Sequence, residues 1–208
     1  MSMVIVSFLA AMVGYAATAQ APVKTIEDGV LDRIALFTAS LEGAAKLQVV
    51  MRPFDASAAD LGTGGKEGKE TRQEEARTMQ NEGPRVLAER FAAALIKSGP
   101  FTGVRVLKPE EALPEGALVV EGKFVTLDPG SRAKRYFAGF GAGKSAVKVV
   151  GSVKDSSGRV LATFEQRRIG AMGVGGGDSL GKLMADSRNI GGDLAKFMSL
   201  WARGESLE

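Results

Sequence analysis

The sequence predicts an α+β fold: a mostly antiparallel sheet with helices packed on one face and a helix at the C-terminus. Two observations carry this prediction. Apolar and polar residues alternate in five short segments between residues 46 and 164, as in strands with one buried face. Between and after these segments, apolar residues recur at three- and four-residue steps, as in amphipathic helices. The predicted order is strand, helix and strand, then a three-stranded meander, then the C-terminal helix.

The first half of the chain is predicted to be mainly helical. Residues 20–45 contain apolar residues spaced as on one helix face, so we expect an N-terminal helical segment. Residues 46–52 alternate and stop at Pro53, where a strand loses a hydrogen-bond donor. The remaining predicted elements are a charged helix over 69–80, a break at Gly83-Pro84, a helix over 85–97 and a strand over 103–107.

The second half is predicted to be the meander and the last helix. Its turns are predicted at Asp128-Pro129-Gly130-Ser131 and Asp155-Ser156-Ser157-Gly158, because glycine adopts the left-handed conformation without strain. In the last helix, the pair Gly191-Gly192 is expected to divide the apolar stripe into two pieces. The three strands are predicted over 117–127, over 145–154, and from Val160 through Ala162 to Phe164.

The N-terminus indicates export. An apolar run from Val4 to Val13 is too short to span a bilayer, and Ala17-Thr18-Ala19 follows it as a small-x-small cleavage site. We therefore expect a signal peptide over 1–19 and a periplasmic mature protein, soluble or peripheral to a membrane. An uncleaved N-terminal anchor is the alternative. Residues 46–203 are predicted to form one α+β domain, and 204–208 a tail.

The composition narrows the chemistry. The chain contains no Cys and no His, which excludes disulfides, thiol nucleophiles, thiolate zinc sites and Ser-His-Asp catalysis. We therefore expect a non-catalytic protein with no cofactor and no metal ion.

One segment suggests an alternative, an enzyme that binds a nucleotide or another phosphate ester. Ala138 to Ser145 resembles a phosphate-binding loop, with Lys144 and Ser145 at the lysine and hydroxyl positions. Such a loop needs a helix that begins at the lysine. The residues from Ala146 onward alternate as in a strand, so the sequence does not favour this alternative.

Positive charge is concentrated in the predicted meander. Residues 117–170 contain 10 Lys or Arg and 4 Asp or Glu. An anionic membrane or glycan surface, or a protein of the cell envelope, would suit such a region, whereas export argues against nucleic acid. A solvated sheet face, with the aromatic residues covering the core, is the structural alternative. The candidate binding residues are Arg132, Lys134, Arg135, Tyr136, Phe140 and Lys144.

The C-terminal half resembles a known bacterial family. The residues that carry the resemblance run from Asp128 through Gly130-Ser131-Arg132-Ala133 and Arg135-Tyr136-Phe137 to Gly139–Ser145, and continue to Leu194-Ala195 and Phe197. In these residues the chain resembles DUF4410, a family of unknown function. The resemblance implies an exported envelope protein and supplies no catalytic residues. Many members look like lipoproteins, but this chain has no Cys to carry the lipid. Together these features predict an exported binding or assembly module of the envelope.

Overall fold

A computed structural model describes residues 21–41, 43–62, 69–108, 110–130, 145–170 and 179–208. In this part of the chain, seven strands form a single sheet and two α-helices accompany it. The strands are β1 (Lys24–Glu27), β2 (Arg33–Leu36), β3 (Gln48–Met51), β4 (Gly103–Val106), β5 (Leu118–Asp128), β6 (Ser145–Lys154) and β7 (Val160–Gly170). The helices are α1 (Lys69–Ser98) and α2 (Ser179–Arg203), with a short 3-10 helix at Ala44–Lys46.

The predicted fold class is wrong, because the sheet is mixed. Its strand order is β1-β2-β7-β6-β5-β3-β4, and β3 pairs in parallel with both β4 and β5. The other strand pairs are antiparallel. Strands β3 and β4 are parallel because helix α1 connects them. The helix returns the chain to the end of the sheet where β3 begins, so β4 starts there and runs in the same direction. The sheet is therefore not a mostly antiparallel one built on a three-stranded meander.

The predicted N-terminal helical segment is also wrong. Strands β1 and β2 form a hairpin that adds to the sheet beside β7, with Ile34 opposite Phe164. Ile26, Ile34 and Leu36 are buried, whereas their neighbours in sequence are more exposed. This alternation over two four-residue strands is too short to stand out from a helical pattern in the sequence.

Both helices are continuous where the sequence predicts a break. Helix α1 runs through Gly83 and Pro84, and α2 runs through Gly191 and Gly192. At Gly191, packing between the helices overrides local propensity. A Cβ atom at Gly191 would lie 2.4 Å from the backbone oxygen of Leu87, so this glycine lets the two helices touch. Gly191 is therefore a contact between the helices, and the glycine pair does not end α2.

The core lies between the sheet and the two helices. One face of the sheet, which we call the covered face, packs with α1 and α2 in a single apolar cluster. A chain of aromatic rings crosses it, from Phe54 to Phe164, Phe197 and Trp201, with neighbouring ring centroids 5.5 to 6.3 Å apart. We call the opposite face of the sheet the open face. Near β4 the open face carries a second, small apolar cluster of Val50, Leu107, Ala117 and Val119.

The predicted strands over 46–52, 103–107, 117–127, 145–154 and from Val160 are confirmed as β3, β4, β5, β6 and β7. The turn at Asp155–Gly158 is confirmed as well. Gly158 has a φ of 87°, its N–H donates to the Asp155 oxygen at 2.9 Å, and the Asp155 carboxylate accepts bonds from Ser157 and Arg159. These contacts hold the pKa of Asp155 below its ordinary value, the Ser157 hydroxyl contributing most.

The residues expected to form a tail belong to the fold. Leu207 is buried, and its backbone oxygen accepts a hydrogen bond from the Val30 N–H at 2.8 Å. Lys24 pairs with Glu208 at 2.9 Å. The end of the chain therefore closes over the β1–β2 hairpin. Neither described helix is long and apolar enough to cross a membrane.

Candidate functional site

The six candidate binding residues of the sequence lie outside the described residues. Arg132, Lys134, Arg135, Tyr136, Phe140 and Lys144 all fall within 131–144. The structure therefore neither brings them together nor separates them, and they stay a prediction.

The segment after the phosphate-loop resemblance is a strand, as the sequence predicts. Strand β6 begins at Ser145, where a phosphate-binding loop would continue as a helix. Ser145 is fully buried, and its hydroxyl has no hydrogen-bond partner among the described residues. The backbone N–H groups that follow Lys144 are thus used in a sheet ladder with β5 and β7.

The positive charge of the predicted meander is mostly neutralised where it is described. Lys148 pairs with Glu165 at 2.7 Å, and Lys154 pairs with Glu121 at 2.5 Å. Arg168 points to the covered face and donates to Asp193 on α2 at 2.6 Å. Arg167, next to it, is exposed. An excess of positive charge in this sequence therefore does not make a positively charged sheet face.

A broad groove crosses the open face. Its volume is about 810 Å³, and it extends over β2, β7, β6 and β5 to the segment after β3. A row of small or polar side chains forms the middle of the groove, because strand register places these residues side by side: Ala35 opposite Thr163, Thr163 opposite Ser152, and Ser152 opposite Glu121. Alternate residues of these strands face the helices, so the row follows directly from the period of two.

Glycines on the covered face shape the sheet beneath the groove. Gly122 and Gly151 lie opposite each other on β5 and β6. A Cβ atom at Gly151 would lie 2.5 Å from the ring of Phe164, and one at Gly122 would lie 2.8 Å from the ring of Phe54. These two rings therefore sit directly against the backbone of the groove. Both glycines and Phe164 belong to its lining.

Charged side chains of both signs surround the row. The groove is lined by three cations, Arg33, Arg52 and Lys123, and by three anions, Asp55, Glu121 and Glu165. Arg33 also pairs with Glu27 at 3.1 Å. The N–H of Ser57 donates to Asp55, and this bond, more than the nearby Lys123 charge, holds the pKa of Asp55 below its ordinary value. The groove is thus rich in charge and close to neutral.

This arrangement is suited to recognition. Ser152 and Thr163 offer hydroxyl groups that both donate and accept hydrogen bonds, and the surrounding charges can pair with a partner of mixed charge. The described residues contain no group of three or more acidic side chains placed to hold a metal ion.

The sequence missed this groove because its residues are scattered over five segments. One signal was present: Glu121 and Lys123 alternate with apolar residues on a predicted strand, which places both on the uncovered side. The pairing of β5 with β3 could not be assigned from the chain order alone. Arg33 and Ala35 lie within residues 20–45, for which a helix is predicted, so the sequence does not place them on the sheet.

The comparisons with known proteins identify the family. The model of DUF4410, a domain of unknown function, matches residues 49–174, and the chain belongs to this family. The predicted resemblance is confirmed. No curated protein matches the sequence.

Several solved structures are similar to this chain, and two of them are a PelC dodecamer and an uncharacterized protein. The PelC dodecamer from Paraburkholderia phytofirmans is 12% identical with a TM-score of 0.43, and the match covers 78% of this chain and 96% of that one. The crystal structure of an uncharacterized protein is 9% identical with a TM-score of 0.45, and covers 74% of this chain and 92% of that one. Likenesses of this size carry no argument about partners or assembly.

Proposed function

We propose that the protein is an exported, non-catalytic module of the cell envelope that binds or assembles with another protein through the groove of its open face. One observation supports this proposal above the others. The described helices pack against one face of the sheet only, while the other face carries a groove of about 810 Å³ lined by charges and hydroxyl groups. A face of this kind is expected to be kept free for a partner.

The charge pattern favours a protein partner over a polyanion. Lys148 and Lys154, the cations of β6, are each held by a carboxylate of a neighbouring strand. A lipid or glycan phosphate would have to displace those carboxylates, whereas a protein surface with both charge signs would pair with them as they stand. Docking through mixed charges sets the orientation of a partner more than it raises the affinity.

Export is the second part of the proposal and rests on residues 1–19. The mature chain is expected to begin at Gln20 and to be released into the periplasm. Intact-mass measurement on protein from the native host, together with cell fractionation, tests this directly. A retained Met1 on protein from the cytoplasmic fraction would contradict both the compartment and the choice of partner.

The partner is tested by retrieval from the solubilised envelope fraction of the native host. The test variant exchanges the ion pair of Lys148 with Glu165, a residue that lines the groove. Lys148→Glu with Glu165→Lys keeps the net charge and the pair but reverses its direction. The matched control exchanges an exposed pair on α1, Arg85→Glu with Glu89→Arg, whose charged atoms lie 2.7 Å apart. We expect the wild type and the α1 control to retrieve the same protein and the groove variant to lose it.

Equal retrieval by all three proteins would contradict the groove as the binding surface. Loss in the α1 control alone would move the surface to the helices.

Residues 132–135 supply a separate test of the anionic surface. Co-sedimentation with vesicles that contain anionic lipid compares the wild type with the Arg132→Ala, Lys134→Ala, Arg135→Ala variant. Binding by the wild type and not by the variant would favour an anionic membrane as the partner. Absent or equal binding leaves the protein partner as the proposal.

A further inference from the structure

The described sheet ends in two edge strands, β1 and β4, and the outer side of β1 is open. β1 pairs with β2, with Thr25 opposite Ala35 and Ile26 opposite Ile34. Among the described residues, no backbone hydrogen bond from another segment reaches Thr25 or Glu27. An edge of this kind presents backbone N–H and C=O groups that can accept a further strand.

The hairpin shows which backbone groups of β1 point outward. The Asp28 N–H donates to the Asp32 oxygen at 2.9 Å, so the backbone of Asp28 faces the chain of β2. Successive residues of a strand direct their backbone groups to opposite sides, so Ile26 faces β2 as well. The N–H and C=O groups of Thr25 and Glu27 therefore point away from the sheet.

A second copy of the same strand fits these groups. In an antiparallel pair about a two-fold axis, the register that uses both outward residues of each strand places Ile26 opposite Ile26 of the second copy. Thr25 then lies opposite Glu27 of the second copy, and Lys24 lies opposite its Asp28. Lys24 and Asp28 are exposed and opposite in charge. The two neighbouring symmetric registers would instead place Lys24 opposite Ile26, or Glu27 opposite Glu27, so the sequence of β1 favours one register.

The other edge strand does not fit a copy of itself in this way. The Leu107 N–H donates to the Met51 oxygen of β3 at 2.9 Å, so the same alternation directs the backbone groups of Val104 and Val106 outward. The matching symmetric register would place Arg105 opposite Arg105 of the second copy. Like charges directly opposite each other destabilise a strand pair, so self-pairing is favoured at β1 and not at β4.

The polar row of the groove reaches the β1 edge. The row ends at Ala35 on β2, and Thr25 lies opposite Ala35 on β1. Thr25 is exposed and extends the row to the outer side of the sheet. In the favoured register the row would continue through Glu27 of the second copy to its Arg33, which lines the second groove.

We propose that two copies of the protein pair edge to edge through β1, antiparallel and with Ile26 at the two-fold axis. The pair forms one continuous sheet, and the two grooves join on its open face. The contact is small, so the dimer is weak and depends on protein concentration. This inference goes beyond the proposed function and does not depend on which partner the groove binds.

Sedimentation equilibrium of the protein purified from its native host tests the pairing over a wide range of concentration. We expect a monomer–dimer equilibrium. Thr25→Pro removes an outward N–H group and no bond to β2, so the variant should fold and dimerise less. The two-fold axis repeats the loss in both copies, so the dimer should be weaker by about tenfold or more.

The matched control is Val104→Pro, which removes an outward N–H group from the other edge and should leave dimerisation unchanged. Circular dichroism confirms that each variant is folded. A monomer at every concentration, an equally strong dimer in Thr25→Pro, or weakening in Val104→Pro alone would overturn the proposal.

Cysteine variants test the register without depending on either proline, and the chain has no Cys of its own to interfere. In the favoured register, position 25 lies opposite position 27 of the second copy, within the reach of a disulfide. A mixture of Thr25→Cys and Glu27→Cys should therefore form a disulfide-linked dimer faster than either variant alone. A mixture of Thr25→Cys with Arg85→Cys, on the exposed side of α1, gives the background from random collision. Linking no faster than this background, or faster linking of Thr25→Cys alone, would overturn the proposal.

Discussion

The two faces of the central sheet are built from the same strands but follow different rules. On the covered face, Phe164 stacks on Phe54. Gly151 has no side chain, which leaves room for the Phe164 ring. On the open face, the neighbouring residues Thr163 and Ser152 sit half-buried in a groove between ion pairs. Moving one residue along β7 or β6 therefore moves from a closely packed core to a surface that can accept a partner.

The difference shows where stability and function separate in this molecule. The covered face contributes through burial of apolar surface and close packing, which tolerate little change in volume. The open face contributes partly exposed ion pairs, which add little to stability in water but give a surface its charge pattern. Substitutions on the covered face should therefore mainly change the free energy of unfolding, and substitutions on the open face should mainly change binding.

The largest expected effect is at Phe164. Phe164→Ala should lower the free energy of unfolding by about 3 to 5 kcal/mol, because it leaves a cavity between Phe54 and Phe197. The control on the other face, Thr163→Ala, should change it by less than about 0.5 kcal/mol. Denaturant unfolding measures both, with Trp201 as the reporter, since it is the one tryptophan of the chain. Similar losses in the two variants would remove the distinction between the faces.

The next effect concerns two adjacent glycines of α2. Gly191→Ala should destabilise the protein by about 1 to 3 kcal/mol, because the new methyl group would meet the Leu87 backbone oxygen at 2.4 Å. At Gly192 the nearest atom to a Cβ is Arg90 Nε at 3.7 Å, so Gly192→Ala should instead stabilise the helix by up to about 1 kcal/mol. Opposite signs in thermal unfolding are the expected result. A stabilising Gly191→Ala would mean that the helices do not touch there.

A smaller effect, given by direction, concerns Asp186 and pH. Burial, the largest influence on this carboxyl group, raises the pKa of Asp186 above the ordinary value of 3.8, so folding favours the protonated form. The wild type should therefore lose stability as pH rises from that value through the raised pKa. Asp186→Asn cannot ionise, so it should be the more stable protein at pH 7 and equal to the wild type at pH 3. Unfolding curves at the two pH values check this. A less stable variant at pH 7 would contradict the direction.

The smallest effect is expected for an ion pair of the open face. Lys154 and Glu121 are only partly buried, so their coupling should be about 0.2 to 1 kcal/mol. A double-mutant cycle of Lys154→Ala and Glu121→Ala measures it, and added salt should reduce it. A coupling of several kcal/mol would mean that the open face is part of the core.

The strands could be predicted from the sequence where they are long or strongly alternating. Strands β5 to β7 have ten or eleven residues each and alternate over most of that length, with one irregularity in β5 between Phe124 and Thr126. The N-terminal hairpin could not be recognised from the sequence. Strands β1 and β2 have only four residues each, and the hairpin joins the sheet through the pairing of β2 with β7, which is distant in sequence. The parallel pairing of β3 with β4 could have been predicted, because two neighbouring strands that are connected by a helix usually run parallel.

The site was harder to predict than the strands. The six residues proposed from the sequence were chosen for charge and aromatic character in one continuous segment, and they lie outside the described residues. The groove joins Ala35, Thr163 and Ser152, which are far apart in sequence and come together only through the strand order. The excess of Lys and Arg along β6 and β7 suggested a positively charged surface. Each lysine of β6 is instead paired with a carboxylate on a neighbouring strand, and a local sequence pattern does not show such a pairing.

The central claim, that the open face binds a protein partner in the envelope, is tested most directly by site-specific photo-cross-linking in the native host. A photoreactive residue replaces Ser152 in the groove in one strain and Ile96 in another, since Ile96 is 65% exposed on α1. We expect a discrete protein adduct from position 152 that is lost in the Lys148→Glu, Glu165→Lys background, and none from position 96. An adduct from position 96 alone, or none from position 152, would contradict the account.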